Sequence, residues 1–120
     1  MTLNKLDLQK HGLTAMLSDV ESDLLTVLWK EKQANARILF DAIKGKHALA
    51  YSSTVVYLDR LYSKGLLERK IERGKGGLRY IYLPKYSKQE LGNKIADNFI
   101  SFLKASFGES STAYLRKKLK

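Results

Sequence analysis

Between Tyr51 and Leu83 the chain carries two periodicities that no single element can satisfy, with one glycine between them. Val55, Leu58, Leu61 and Tyr62 recur at steps of three, three and one, which builds one apolar stripe on a helix. Ser52 or Ser53 can cap its start by accepting from the free N–H groups of the first turn. Gly65 stands where such a helix needs a left-handed residue to stop, and Lys64 just before it suits the negative end of the helix dipole. Beyond the glycine the period becomes two. Leu67, Arg69 and Ile71 alternate with Glu68, Lys70 and Glu72, and Leu78 to Leu83 form a second, less regular strand. Gly74-Lys75-Gly76-Gly77 between the strands holds three glycines in four residues, a composition suited to a tight turn. The spacing therefore predicts a helix, a stop and a two-stranded ribbon with a basic tip.

The segment before it reads as two further helices. Ser18 with Glu21 forms a capping box, because each side chain can satisfy the other's backbone N–H. Val20, Leu24, Leu25, Val27, Leu28 and Trp29 then predict an apolar helix to about Lys32, with Trp29 as a core anchor. Asn35 can cap a second helix whose buried face is Ile38, Leu39, Ala42 and Ile43, with Phe40 at the rim and Gly45 at the end. A loop of Lys46 to Ala50 leads to the third helix. This order is a helix-turn-helix with a long turn, followed by a wing. The predicted fold is mainly α with a small β-hairpin wing: a winged helix-turn-helix domain over 17–85 plus C-terminal dimerisation helices. Residues 1–16, with Leu3, Leu6 and Leu13, read as a solvated extension.

Residues 86–120 read as a helical dimerisation region. Ser87 and Glu90 form a second capping box, and Gly108 marks the end of a helix from about Lys88 to Ser106. Leu91, Ile95, Phe99, Phe102, Leu103 and Phe107 make one long apolar face, widened by Ile100. That face is too large to leave in water. A complete small winged domain has little core left for it, so a second copy of the chain is the expected cover. Ser110-Ser111-Thr112 then reads as the cap of a short basic helix.

Charge narrows the partner. The net charge is +10, yet residues 1–59 hold seven basic and seven acidic side chains. Residues 60–85 hold eight basic and two acidic, so the excess begins at the end of the third helix and covers the wing. A surface of that kind favours polyphosphates through counterion release. The chain has no Cys, which excludes disulfides, thiolate metal sites and cysteine nucleophiles. It has no apolar run of membrane length, and a soluble, cytoplasmic, nucleoid-associated protein is expected. His11 and His47 lack ligand-motif neighbours in sequence and read as exposed side chains, so no metal and no cofactor is expected. Arg73-Gly74-Lys75-Gly76-Gly77 lacks the Gly-Lys-Ser/Thr ending of a phosphate-binding loop, and Ser52 and Ser53 have no nucleophile-elbow context. No catalytic constellation stands out, and an enzyme is not expected.

The chain resembles the BlaI/MecI-type repressor family, the penicillinase-repressor winged helices. The resemblance rests on Leu17-Ser18-Asp19-Val20-Glu21, Val27-Leu28-Trp29, Ser53-Thr54-Val55, Leu58-Asp59-Arg60-Leu61-Tyr62-Ser63-Lys64-Gly65-Leu66-Leu67, Arg79-Tyr80-Ile81-Tyr82 and the stretch from Asn98-Phe99-Ile100 to Phe107-Gly108. It implies a homodimeric transcriptional repressor, with the third helix in the major groove of a palindromic operator and C-terminal helices forming the dimer. Three departures stand out. Thr54-Val55 lies one residue closer to Leu58 than in the family pattern. The chain stops where relatives carry a further helix. The cysteine-rich metal site of the copper-responsive branch has no counterpart. Antibiotic-responsive members are cut at an Asn-Phe bond, and Asn98-Phe99 falls at a similar place.

On this reading Ser53, Thr54 and Tyr57 face base edges of double-stranded DNA, and Arg60 reaches base or phosphate. Ser52, Lys64, Arg73, Lys75 and Arg79 bind backbone phosphates, which position the protein without reading sequence. The alternative is a winged-helix protein-interaction module of a transcription or chromatin assembly, with only non-specific DNA affinity.

Overall fold

The computed structural model describes residues 17–118. The N-terminal extension, with His11, and the final Leu119-Lys120 lie outside the described residues. The elements run α1 (Asp19–Glu31), β1 (Ala34–Asn35), α2 (Ala36–Ile43), α3 (Tyr51–Ser63), β2 (Leu67–Gly74), β3 (Gly77–Pro84), α4 (Lys88–Phe107) and α5 (Glu109–Lys118).

Local chemistry sets most of these boundaries. Ser18 Oγ accepts from the Glu21 N–H at 3.2 Å while the Glu21 carboxylate accepts from the Ser18 N–H. Ser87 and Glu90 repeat the arrangement at the start of α4. Asn35 Oδ1 accepts from the Ile38 N–H at 2.9 Å and starts α2. The stop of α3 is a Schellman turn. Gly65 has φ 79°, the Leu66 N–H donates to Leu61 O, and the Gly65 N–H donates to Tyr62 O, both at 3.0 Å. The start of α3 departs from expectation: Ala50 is the N-cap and no side chain caps it, so Ser52 and Ser53 sit inside the first turn. Similarly, Ser110 to Thr112 lie within α5 rather than capping it.

The strands form one antiparallel sheet in the order β1-β3-β2. The β2–β3 register runs from Leu67↔Pro84 to Gly74↔Gly77, which leaves Lys75-Gly76 as a two-residue turn. Gly77 follows with φ 104°, a conformation that favours glycine. The third strand, β1, pairs Ala34 with Tyr82 and Asn35 with Ile81.

The core joins Leu24, Leu25 and Leu28 of α1, Leu39 and Ile43 of α2, Leu58 and Leu61 of α3, and Tyr82 of β3. Trp29 packs against it and donates from Nε1 to Tyr86 O at 3.0 Å, tying α1 to the approach of α4. Two faces differ from expectation. The inner side of α2 is Ala36, Leu39 and Ile43, while Ile38 and Ala42 are exposed. The long helix α4 does join the core: Leu91 is buried in it and Ile95 packs on it.

One ion pair, buried on its Glu21 side and exposed on its Lys64 side, ties α1 to the end of α3. Lys64 Nζ lies 2.7 Å from Glu21 Oε2. Burial pushes the Glu21 carboxyl up, but the Lys64 and Ser18 hydrogen bonds and the Lys64 charge outweigh it, and the net pKa is lowered. A carboxyl held lower when folded than when unfolded contributes stability above the ordinary carboxylate range. That contribution is lost as pH falls through the folded value. Urea denaturation from neutral into acid pH is expected to show a steeper loss for the wild type than for Glu21→Gln. Parallel curves would mean that the pair is not coupled to folding.

Candidate nucleic-acid interface

The phase of α3 decides which of its side chains can meet a partner. Thr54, Leu58 and Leu61 are fully buried and point into the core. Thr54 Oγ1 donates to Ala50 O at 3.4 Å. A fully buried side chain cannot touch a base edge, so Thr54 is a core residue and not a reader. The opposite face carries Ser52, Val56, Arg60 and Ser63, all exposed and spaced by three or four, with Ser53 half-buried beside them. Val56 is 48% exposed and takes the outward place expected for Thr54. Its signal was present as the step of four from Ser52 and to Arg60. Tyr57 is half-buried against the core, and the Arg60 guanidinium lies over its ring at 5.1 Å.

The wing presents a second basic surface. Arg73 and Lys75 are exposed at its tip, without an acidic partner among the described residues. Arg79 lies 3.4 Å from Glu72 across the ladder, with both side chains about half exposed. Such a surface pair is weak and can be exchanged for another anion. Lys64, expected to bind phosphate, has its ammonium on Glu21 while its side chain stays 44% exposed.

A cation that sequence reading missed is Arg37, in the first turn of α2. Its guanidinium lies over the rings of Phe40 and Tyr51 at 5.6 and 5.7 Å. A groove of about 360 Å³ separates this corner from the wing, lined by Arg37, Tyr51, Val55, Leu78, Arg79 and Tyr80 among others. The loop before α3 is pinned to α1: His47 Nε2 lies 2.6 Å from Asp23 Oδ2, and Lys46 is 3.1 Å from the same oxygen. His47 is therefore largely buried, not exposed as expected. No cluster that could hold a metal ion occurs among the described residues.

Where the ribbon leaves the core, Arg69 sits between two rings, 3.9 Å from the Tyr62 centroid and 4.3 Å from that of Tyr80. Its Nη1 donates to Asp59 Oδ1 at 3.2 Å. Tyr82 beneath it is buried, and burial followed by the nearby Asp59 charge raises its phenol pKa.

At the far end, α5 packs on α4, and the face of α4 beyond Ile95 is only partly covered among the described residues. Phe99, Ile100 and Leu103 are half-buried, whereas Phe102 and Phe107 are 53% and 66% exposed and meet each other edge to face at 6.2 Å. Tyr114 of α5 is 63% exposed. Asn98 and Phe99 lie within the helical stretch of α4. Leu91, expected at a dimer interface, belongs to the chain's own core. No helix among the described residues is long and apolar enough to cross a membrane.

A three-helix core, an outward polar face on the third helix and a basic two-stranded wing define a winged-helix DNA-binding transcription regulator. The comparisons with known proteins agree. The penicillinase repressor family model matches residues 17–119, and the chain belongs to that family. Among solved structures, the DNA-binding domain of the repressor BlaI is 22% identical with a TM-score of 0.51, covering 62% of this chain and 85% of that one. A possible transcriptional regulator from Methanosarcina mazei Go1 is 23% identical with a TM-score of 0.61, covering 74% of this chain and 72% of that one. No curated protein sequence matches the chain.

Proposed function

We propose that the protein is a homodimeric repressor that reads a palindromic operator, with α3 in the major groove and the wing on the flanking backbone. The observation that carries this reading is the outward row Ser52, Val56 and Arg60 on α3 beside a wing tip whose Arg73 and Lys75 have no acidic partner among the described residues. Hydroxyls of Ser52 and Ser53 donate to or accept from base edges, Val56 suits a thymine methyl, and Arg60 suits guanine or phosphate. Tyr57 keeps a role at the edge of this row through its stack with Arg60. Arg73, Lys75, Arg79 and Arg37 supply phosphate contacts that set orientation. Dimerisation is supported by the exposed Phe102 and Phe107 beside the half-buried Phe99 and Leu103, with Ile95 at the inner edge of that face.

The test is binding to a duplex from upstream of the protein's own coding region against a scrambled duplex, with salt titrated in both. A preference of about 10³ or more with two chains per site supports the reading. Equal, steeply salt-dependent binding to both would favour the protein-interaction module instead. Lys75→Ala is expected to weaken all duplexes alike and to flatten the salt slope by about 1. A changed operator preference in that variant would move Lys75 from phosphate contact to base reading.

A further inference from the structure

We infer that Arg69 is a positioning residue that locks the angle between α3 and the wing, so that both meet DNA as one body; the DNA half of this statement rests on the function proposed above.

The ribbon has little else to hold its direction. Outward from the Lys70↔Ile81 pair, where Ile81 is the last buried apolar side chain and β1 ends, Ile71 is 62% and Leu78 66% exposed, so little apolar burial supports the outer part of either strand. A two-stranded hairpin by itself is marginally stable in water. Arg69 stands where the ribbon departs from the core, and one planar group there touches both elements. Tyr62 and Asp59 belong to α3, and Tyr80 belongs to β3. Stacking on two rings while donating sideways to a carboxylate requires the flat, delocalised guanidinium; a lysine ammonium cannot do all three. The Arg69 side chain is only 25% exposed, so water competes weakly for these contacts. Its charge is also spent on Asp59, which separates it in role from Arg73 and Lys75.

The geometry amplifies small errors. From Arg69 to the turn the ribbon extends roughly 18 Å, so a hinge rotation of about 15° would move the tip by about 5 Å. A phosphate contact tolerates far less than that.

The test has a DNA-free arm and a DNA arm. The chain has no cysteine, so Lys30→Cys on α1 and Gly76→Cys at the wing tip give a unique pair for spin labels. A Cβ at Gly76 meets nothing within 4 Å. With labelled chain diluted into excess unlabelled chain, the parent is expected to give one narrow distance distribution and Arg69→Met a broad one. Tyr80→Leu, which removes only the wing half of the stack at a half-exposed position, is expected to broaden it as well and serves if Arg69→Met unfolds. An unchanged distribution in the folded variants overturns the lock. In the DNA arm, Arg69→Met is expected to weaken operator binding about tenfold and to add less than about twofold in a Lys75→Ala background. Penalties that simply multiply would overturn the coupling to DNA. If the parent shows no operator preference, the proposed function fails, while the distance distributions still decide the lock.

Discussion

Phe102→Asp is expected to leave the fold intact, convert the protein to a monomer and lower operator affinity by about 10³-fold. Phe102 is 53% exposed within the chain, and its recorded ring contact is with Phe107 on the same partly covered face. Folding of one chain therefore gains little from it. An interface built on Phe99, Phe102, Leu103 and Phe107 would bury it in apolar surroundings, where a carboxylate loses its hydration without a partner. The affinity loss follows from linkage: a dimer on a palindrome makes its second half-site contact within one complex, and a monomer does not. Sedimentation velocity, thermal melting and operator binding on the same samples check the three parts. A variant that remains dimeric would place the interface elsewhere.

Tyr82→Ala is expected to cost about 3–5 kcal/mol, in line with removal of large aromatic side chains from cores. Small domains hold about 5–15 kcal/mol in all, so this is a large share. Tyr82 is 2% exposed and heads the largest fully buried side chains. It pairs with Ala34 on β1 and with Arg69 on β2, the strands that flank β3, so its loss loosens β1, the wing root and the helical core together. Tyr82→Phe keeps the ring and is expected to cost about 1 kcal/mol or less. Urea midpoints measure both. A cost for alanine below about 1 kcal/mol would mean that the sheet is held to the helices by something else.

The parts of this molecule that sequence reading located are those whose partners are close in the chain. Both capping boxes, the Asn35 cap, the Gly65 stop and the hairpin tip depend on residues three or four apart. Errors begin where the partner is distant or the local signal is divided. Lys64 meets Glu21 across 43 residues, and His47 meets Asp23 across 24. Neither pairing leaves a periodic trace. The strand β1 is two residues long, too short to alternate, and Asn35 already has a sufficient role as a cap. The exchange of Thr54 for Val56 came from ranking side chains by polarity. Leu58 and Leu61 already set the helix phase, and that phase places position 54 inside and position 56 outside. Leu91 falls in phase with the interface face of α4, and nothing local in the sequence marks that the core of the winged domain is closed partly by α4. The exposed face of α3 and the basic wing, the surface proposed to meet DNA, are thus legible as a region, while which side chains point outward or pair internally depends on helix phase and on distant ion pairs.

The continuity of α4 has a consequence for operator architecture. Its first turn is fixed to the reading domain through Leu91, and the same helix runs unbroken to Phe107. In the proposed dimer, this rod is a ruler that sets both the separation and the rotational phase of the two reading heads. Inserting one residue between Ile95 and Phe99 would advance the distal face by about 1.5 Å and turn it by about 100°. Inserting four would nearly restore its direction and lengthen the ruler by about 6 Å. Half-site spacing can therefore change by whole helical turns of α4 while the letters read by α3 stay the same.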